Sequence, residues 1–247
     1  MKQCDLSRLL ENSVEKFYWL GFLMADGSFN TKNRLKVCLA EKDLHHLKQL
    51  KDFLRISSPI VTHIVNNRKY CGISAMDTVV LKEVRQQFAI DNNKTINPCS
   101  LSNLTEEQLF CVSVGFIDGD GSISKVHNRI HAQLTVKCHS NWLGNLRMMF
   151  PDASVRHDSH GYAKASITNS EILKRLKLRA IELSLPIMKR KWDNIDISFT
   201  SAQQRTKENL PVIVEMLQNG YSKKEVCVRF GYTKAALSIL LKRKGLR

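Results

Sequence analysis

The sequence predicts an α+β protein of two related halves, each running helix, two strands, helix, two strands, helix (αββαββα) with antiparallel sheets, plus a small all-α C-terminal unit. Three observations carry this. Trp19-Leu-Gly-Phe-Leu-Met-Ala-Asp26-Gly-Ser-Phe29 and Ser113-Val-Gly-Phe-Ile-Asp-Gly-Asp120-Gly-Ser-Ile123 say nearly the same thing 94 positions apart, and a repeat at domain-sized spacing signals duplicated architecture. Polar and apolar residues alternate after each copy, the pattern of strands with one buried face. The last forty residues carry helix caps and terminating glycines but no such alternation.

Each repeated segment is an apolar helix ending in a carboxylate. Gly21 and Ala25 lie four apart, as do Gly115 and Gly119, so each helix presents a small-residue face that lets another backbone approach. Tyr18, Phe22, Val112 and Phe116 flank those faces. Packing the two helices together would bring Asp26 and Asp120 side by side, and like charges that close call for a proton or a cation between them. An aspartate at a helix C-terminus also meets the negative end of the dipole. Gly27 and Gly121 follow at once, where a left-handed cap is expected. Mg²⁺ takes oxygen ligands, often one or two carboxylates with substrate phosphates.

In the first half, strands are expected at 28–30 and 34–39, a helix at 42–54, a hairpin of strands 60–65 and 69–75 turning at Asn66-Asn67, and a helix at 77–88. In the second, Thr105 and Gln108 make a capping box before the motif helix. Strands at 122–126 and 129–138, a helix at 141–150, strands at 153–158 and 162–167 and a helix from 170 to about 183 complete it. Residues 1–96 and 97–198 are thus the two halves, joined by 92–103. Arg34 and Lys36 alternate with apolar neighbours, as do Arg129, His131, Gln133, Thr135 and Lys137, and then Tyr162, Lys164 and Ser166. A merely solvated face mixes both signs of charge; these carry almost no Asp or Glu. Such faces suit the major groove, where base edges are distinguishable.

Lys+Arg total 38 against Asp+Glu 23, a net charge of +15 over 247 residues, the footprint of a polyanion partner. A membrane is disfavoured, since no run of 18 apolar residues occurs. The first seven residues lack the apolar core of a signal peptide, pointing to an intracellular protein. Seven cysteines, odd in number and without a CxxC pair, read as reduced thiols. His45-His46 and His157/His160 show no metal-ligand spacing and read as surface or nucleic-acid-facing residues.

With the two motifs and the repeated element order in place, residues 10–198 resemble the LAGLIDADG family of homing endonucleases, as a single chain carrying both motif copies. The resemblance implies a pseudo-twofold monomer whose motif helices form the interface and whose two four-stranded sheets make a DNA-binding saddle. It implies Mg²⁺-dependent hydrolysis of double-stranded DNA at a long, nearly asymmetric target, with Mn²⁺ or Ca²⁺ able to substitute structurally. Asp26 and Asp120 would be the metal ligands, helped by the backbone carbonyls of Ala25 and Gly119. The inner acid of the family motif is Asp118 in the second copy but Met24 in the first. The family also places a basic residue late in each half. Lys191 matches best in the second, with Lys189 its rival, and Lys94 in the first. Such a cation could polarise the attacking water or stabilise the scissile phosphate. Glu41 is the candidate for ordering water.

Behind a polar linker at 199–208, residues 209–247 form a separate unit with 8 Lys+Arg and 2 Asp+Glu. Pro211 is expected to open its first helix, Ser222 and Glu225 cap a second closed by Gly231, and Thr233 caps a third. This resembles a helix-turn-helix, with Lys234, Ser238, Lys242 and Arg243 available to a major groove. The leading function is a site-specific double-strand DNA endonuclease leaving 5′-phosphate and 3′-hydroxyl ends. The alternatives are an RNA maturase bound to intron RNA and a transcription regulator that uses the fold without catalysis. An intein is disfavoured, since no splice cysteine or terminal His-Asn is present.

Overall fold

The computed structural model describes residues 4–125, 132–158, 160–198, 202–243 and 245, with the backbone alone at 202–205, 207 and 243. The chain divides into two compact units, Met1–Ile197 and Ser198–Arg247.

The first unit holds both halves. Ser13 accepts from the Lys16 amide and starts α1 (Val14–Asp26), which leads into β1 (Gly27–Phe29) and β2 (Arg34–Ala40). A 3₁₀ turn, Glu41–Asp43, opens onto α2 (Leu44–Phe53); β3 (Val61–Val65), β4 (Arg68–Met76) and α3 (Thr78–Gln87) follow. Asn66 and Asn67 both take positive φ, 48° and 60°, the conformation a two-residue hairpin turn requires and asparagine tolerates. The second half repeats the order: α4 (Glu106–Asp120), β5 (Gly121–Lys125), β6 (Ala132–His139), the 3₁₀ turn Ser140–Trp142, α5 (Leu143–Met149), β7 (Ser154–Asp158), β8 (Tyr162–Ile167), α6 (Ser170–Glu182) and the single turn α7 (Lys189–Trp192). The Thr105/Gln108 capping box is formed in full.

Both sheets are antiparallel and four-stranded, ordered β1-β2-β4-β3 and β5-β6-β8-β7. Their registers correspond: Gly27 faces Val37 in one and Gly121 faces Val136 in the other. Leu35, Val37 and Leu39 are buried on β2, and Ala132, Leu134 and Val136 on β6. One apolar core runs through both halves, with α1 and α4 against each other at its centre. The small-residue faces make this contact possible. A Cβ added to Gly21 would strike the Val112 backbone, one on Gly115 the Tyr18 carbonyl, and one on Gly119 the Ala25 side chain.

Three expectations are corrected. Gly27 and Gly121 are not left-handed caps: their φ/ψ of −72°/144° and −81°/157° are extended, and each starts a strand. Glycine is required because a Cβ would sit 2.5 Å from the Leu23 or Ile117 carbonyl of the preceding turn. His46 is not a surface residue; it is buried among Trp19, Phe22 and Tyr18. In the second unit, helix α8 (Ala202–Gln218) covers most of the stretch expected as a linker and contains Pro211 instead of starting there. Gln, Arg, Lys and Glu before Pro211 favour helix strongly enough to offset the one backbone bond that proline removes.

That unit continues with α9 (Lys223–Phe230), which has the complete Ser222/Glu225 capping box and a left-handed Gly231 at its end, and α10 (Lys234–Arg243), where the Ala236 amide donates to Thr233. Ile213, Met216, Val226, Cys227, Leu237 and Leu241 form its own small core.

Candidate active site

The site is built where α1 and α4 run out of helix side by side. A Cβ on Gly119 would lie 3.4 Å from the amide nitrogen of Asp26, so the two terminal aspartates emerge from adjacent backbone. Asp26 is half-buried and Asp120 exposed. Loss of hydration, and then the neighbouring Asp120, push the Asp26 carboxyl up to about 6, against Lys191 and Lys94, which pull it down. Asp120 is also raised, by the protein mass that displaces water around it, with Lys94 and then Lys191 opposing. Among the described residues neither carboxylate accepts a hydrogen bond or closes an ion pair.

The two lysines close the ends of the motif helices. Lys94 Nζ donates to the carbonyls of Met24 at 2.7 Å and Ala25 at 2.6 Å. Lys191 Nζ reaches those of Ile117 at 3.0 Å, Asp118 at 2.6 Å, Gly119 at 3.0 Å and Gly121 at 2.7 Å. A cation at a helix C-terminus satisfies carbonyls that have no partner in the helix and offsets the dipole. Both ammonium groups are buried, and burial pulls their pKa down while the acids push it back. The field crosses the interface. Asp120 of the second half is the acid Lys94 of the first feels most, and of the two lysines opposing the rise in Asp26 the stronger is Lys191.

Asp118 points away from this space, into the interface. It is buried and accepts from Tyr18 Oη at 2.7 Å, Trp192 Nε1 at 2.8 Å and the Met188 amide at 2.9 Å. Burial raises its pKa against these three donors. Tyr18 Oη also lies 3.1 Å from His46 Nε2, while His46 Nδ1 is 3.3 Å from Gln49. Burial holds that imidazole down to about 4, so it stays neutral near pH 7. Since Met188 and Trp192 bracket α7, Asp118 fixes the turn that delivers Lys191. In the first half Met24 stands at the matching place, and Lys94 is held from across the interface: Trp142 Nε1 donates to its carbonyl at 3.0 Å. The equivalent corner of the first half, Asp43 at the end of its 3₁₀ turn, instead receives the Arg190 guanidinium through both oxygens. The composition of the motif helices pointed to none of this network except through the one hydroxyl, on Tyr18, and the one acid, Asp118, set inside apolar helices.

The donor set suits a hard divalent cation. Two adjacent carboxylates have no donor among the described residues, and hydrated Mg²⁺ needs no more than one or two carboxylates. Among the described residues no group of three or more His, Cys, Asp or Glu could hold a metal, so the remaining ligands would be backbone oxygens, water or substrate. The Ala25 and Gly119 carbonyls already accept from Lys94 and Lys191; each keeps a second lone pair.

The expected contact residues are placed unevenly. Arg34, Lys36 and Lys137 are exposed on the outer sheet faces, and Gln133, Thr135 and Lys164 are half-buried there. Arg129 and His131 lie outside the described residues. Glu41 sits at the end of β2, where its carboxylate lies 3.7 Å from Lys69 Nζ. Lys234, Ser238 and Lys242 are exposed at four-residue spacing on α10; the Arg243 side chain is outside the described set.

No family model matches the chain, and no curated protein matches it. Among solved structures it is similar to the I-LtrWI LAGLIDADG homing endonuclease bound to target DNA, with 12% identity over 93% of this chain and 96% of that one and a TM-score of 0.48. The LAGLIDADG meganuclease I-AabMI bound to uncleaved DNA gives 13% identity over 94% and 98%, with a TM-score of 0.47. The meganuclease I-SmaMI bound to an uncleavable DNA gives 13% over 93% and 96%, with a TM-score of 0.48.

Proposed function

We propose that the chain is a metal-dependent, site-specific double-strand DNA endonuclease of the LAGLIDADG type. The observation that carries this is the pair of adjacent carboxylates at paired helix ends, each flanked by a buried lysine. Asp26 and Asp120, with the carbonyls of Ala25 and Gly119, would hold Mg²⁺. When bound there, Mg²⁺ supplies charge stabilisation to the attacking and leaving oxygens of an in-line displacement at phosphorus. Lys94 and Lys191 fix the helix ends and hold positive charge next to the scissile phosphate, where negative charge grows in the transition state. The Gly21, Gly115 and Gly119 contacts keep the acids adjacent, so one site can serve both strands. Products are 5′-phosphate and 3′-hydroxyl ends.

Substrate binding falls to the outer sheet faces, Arg34 and Lys36 on one and Gln133, Thr135, Lys137 and Lys164 on the other, with the second unit adding basic side chains from α10. Affinity from such contacts is largely independent of the acids. Asp26→Asn or Asp120→Asn should therefore lower double-strand cleavage in Mg²⁺ by at least about 100-fold while leaving duplex affinity within a few-fold. The test is a selected duplex substrate, with cleavage followed on gels and binding by filter retention. Full cleavage by either variant would sink the site assignment.

A further inference from the structure

We infer that the two sheets read chemically different bases at equivalent places, a guanine under the second and a thymine under the first, and that Arg156 and Val61 make the distinction. This rests on the DNA-binding reading above and names its specificity. On the outer face of the second sheet, Lys137 faces Lys164 and Lys164 faces Arg156. Three cations thus stand in one row across three adjacent strands. Directly opposed like charges are unfavourable in a sheet, and an arrangement with that cost has its compensation in an anionic or acceptor-rich partner.

The row is only partly neutralised from within. Lys137 Nζ is 2.9 Å from the Asp158 carboxylate and 4.6 Å from the centre of the Tyr162 ring, which draw it aside along the sheet. Lys164 and the exposed Arg156 remain facing outward. Guanine presents two acceptors, O6 and N7, in the major groove, and the planar fork of arginine matches both. Phosphates would bind the same charges, but the row runs over the central strands β6 and β8 as well as the edge strand β7, where a sheet laid in the groove meets base edges.

The matching row of the first sheet is Cys38, Gly72 and Val61. Its position follows from register: Cys38 comes one residue after Val37, the partner of Gly27, as Lys137 comes one after Val136, the partner of Gly121. No charge occurs in it. Val61 is 62% exposed although apolar, its neighbour Gly72 carries no side chain that could cover it, and the Cys38 thiol is engaged by His63 Nε2 at 3.4 Å. An exposed aliphatic side chain in a row without charge fits the thymine methyl group, the one apolar feature of the major-groove edge.

The test is selection of bound duplexes from a random library by the full-length protein with Ca²⁺, followed by sequencing. Enriched targets should carry guanine at one position on one side of the midpoint and thymine at the mirrored position. Arg156→Ala should lose roughly 5- to 100-fold of discrimination at the guanine position and little elsewhere, with a melting temperature no lower than the parent's because a repulsion is relieved. Val61→Arg should create a guanine preference at the mirrored position. A uniform loss of affinity for Arg156→Ala, or selected sites without this asymmetry, would overturn the inference while leaving the endonuclease reading intact. Failure to enrich any duplex would overturn both.

Discussion

The two halves hold equivalent lysines by different means. Lys191 reaches four backbone carbonyls and sits in a turn fixed on both sides by the buried Asp118. Lys94 reaches two, and its backbone is held by a tryptophan from the other half. The equivalent corners of the two halves differ too, an Arg190–Asp43 ion pair at one and the Trp142 indole at the other. Both halves thus place a cation on the end of their motif helix, and the contacts that support it differ. At the place on the motif helix where the second half has the buried Asp118, which is costly to disturb, the first has the buried Met24.

This difference can be broken at three places and sharpened at a fourth. The largest effect is expected at the lysines. Both Lys94→Met and Lys191→Met should slow cleavage by about 10²–10³-fold if they stabilise the transition state, but Lys191→Met should also destabilise the fold more, since four carbonyls lose their donor against two. Thermal melting of both variants checks this, and equal melting temperatures would remove the asymmetry.

Next is Asp118→Ala, which strands the Tyr18 hydroxyl, the Trp192 indole and the Met188 amide, at an expected cost of about 3–5 kcal/mol in chemical denaturation. Tyr18→Phe removes one of those bonds and should cost about 1–2 kcal/mol. If Asp118→Ala unfolds at the parent's denaturant midpoint, the polar anchor of the second half is not one.

A smaller effect is pH-dependent. Because the Asp26 carboxyl is raised from its usual 3.8 to about 6 in the fold, folding favours its protonated form. That contribution is present below about pH 4 and is lost as pH rises through about 6, by on the order of 1–3 kcal/mol. Metal-free protein should therefore lose stability over this window relative to Asp26→Asn. Adding Mg²⁺ above pH 7 should restore it by mass action. A flat difference between the two proteins from pH 4 to 7, unmoved by Mg²⁺, would remove the account of Asp26 as a carboxyl raised by burial and by its neighbour Asp120.

The smallest effect separates the two units. Because α8 begins at Ala202, the natural cut follows Ile197. The truncated chain should keep cleavage at saturating enzyme and lose slope in log K against log salt, by about 0.9 for each phosphate contact removed. An unchanged slope and footprint would make the C-terminal unit a cap without DNA contact.

The repeated segments announced the paired helices, the adjacent acids and the order of strands, because each depends on local spacing: small residues four apart, alternation of period two, and Asp-Gly at a helix end. Lys94 and Lys191 could be placed in the site from the sequence only through the family resemblance, since a lysine outside the motif helices carries no local sign of carbonyls 70 residues away. Gly27 and Gly121 show the same limit. An Asp-Gly helix end looks like a left-handed cap, yet the following strand pulls the backbone into the extended region, and steric contact with the previous turn is what demands glycine. His46 was read from the sequence as a surface residue and Asp118 only as the inner acid of the family motif, since a polar residue in an apolar stretch gives no local sign of whether it meets water or a buried partner. Only the tertiary packing, α1 on α4 with α2 and α7 beside them, brought Tyr18, His46, Asp118 and Trp192 within hydrogen-bonding distance, and burial then made each of those bonds obligatory.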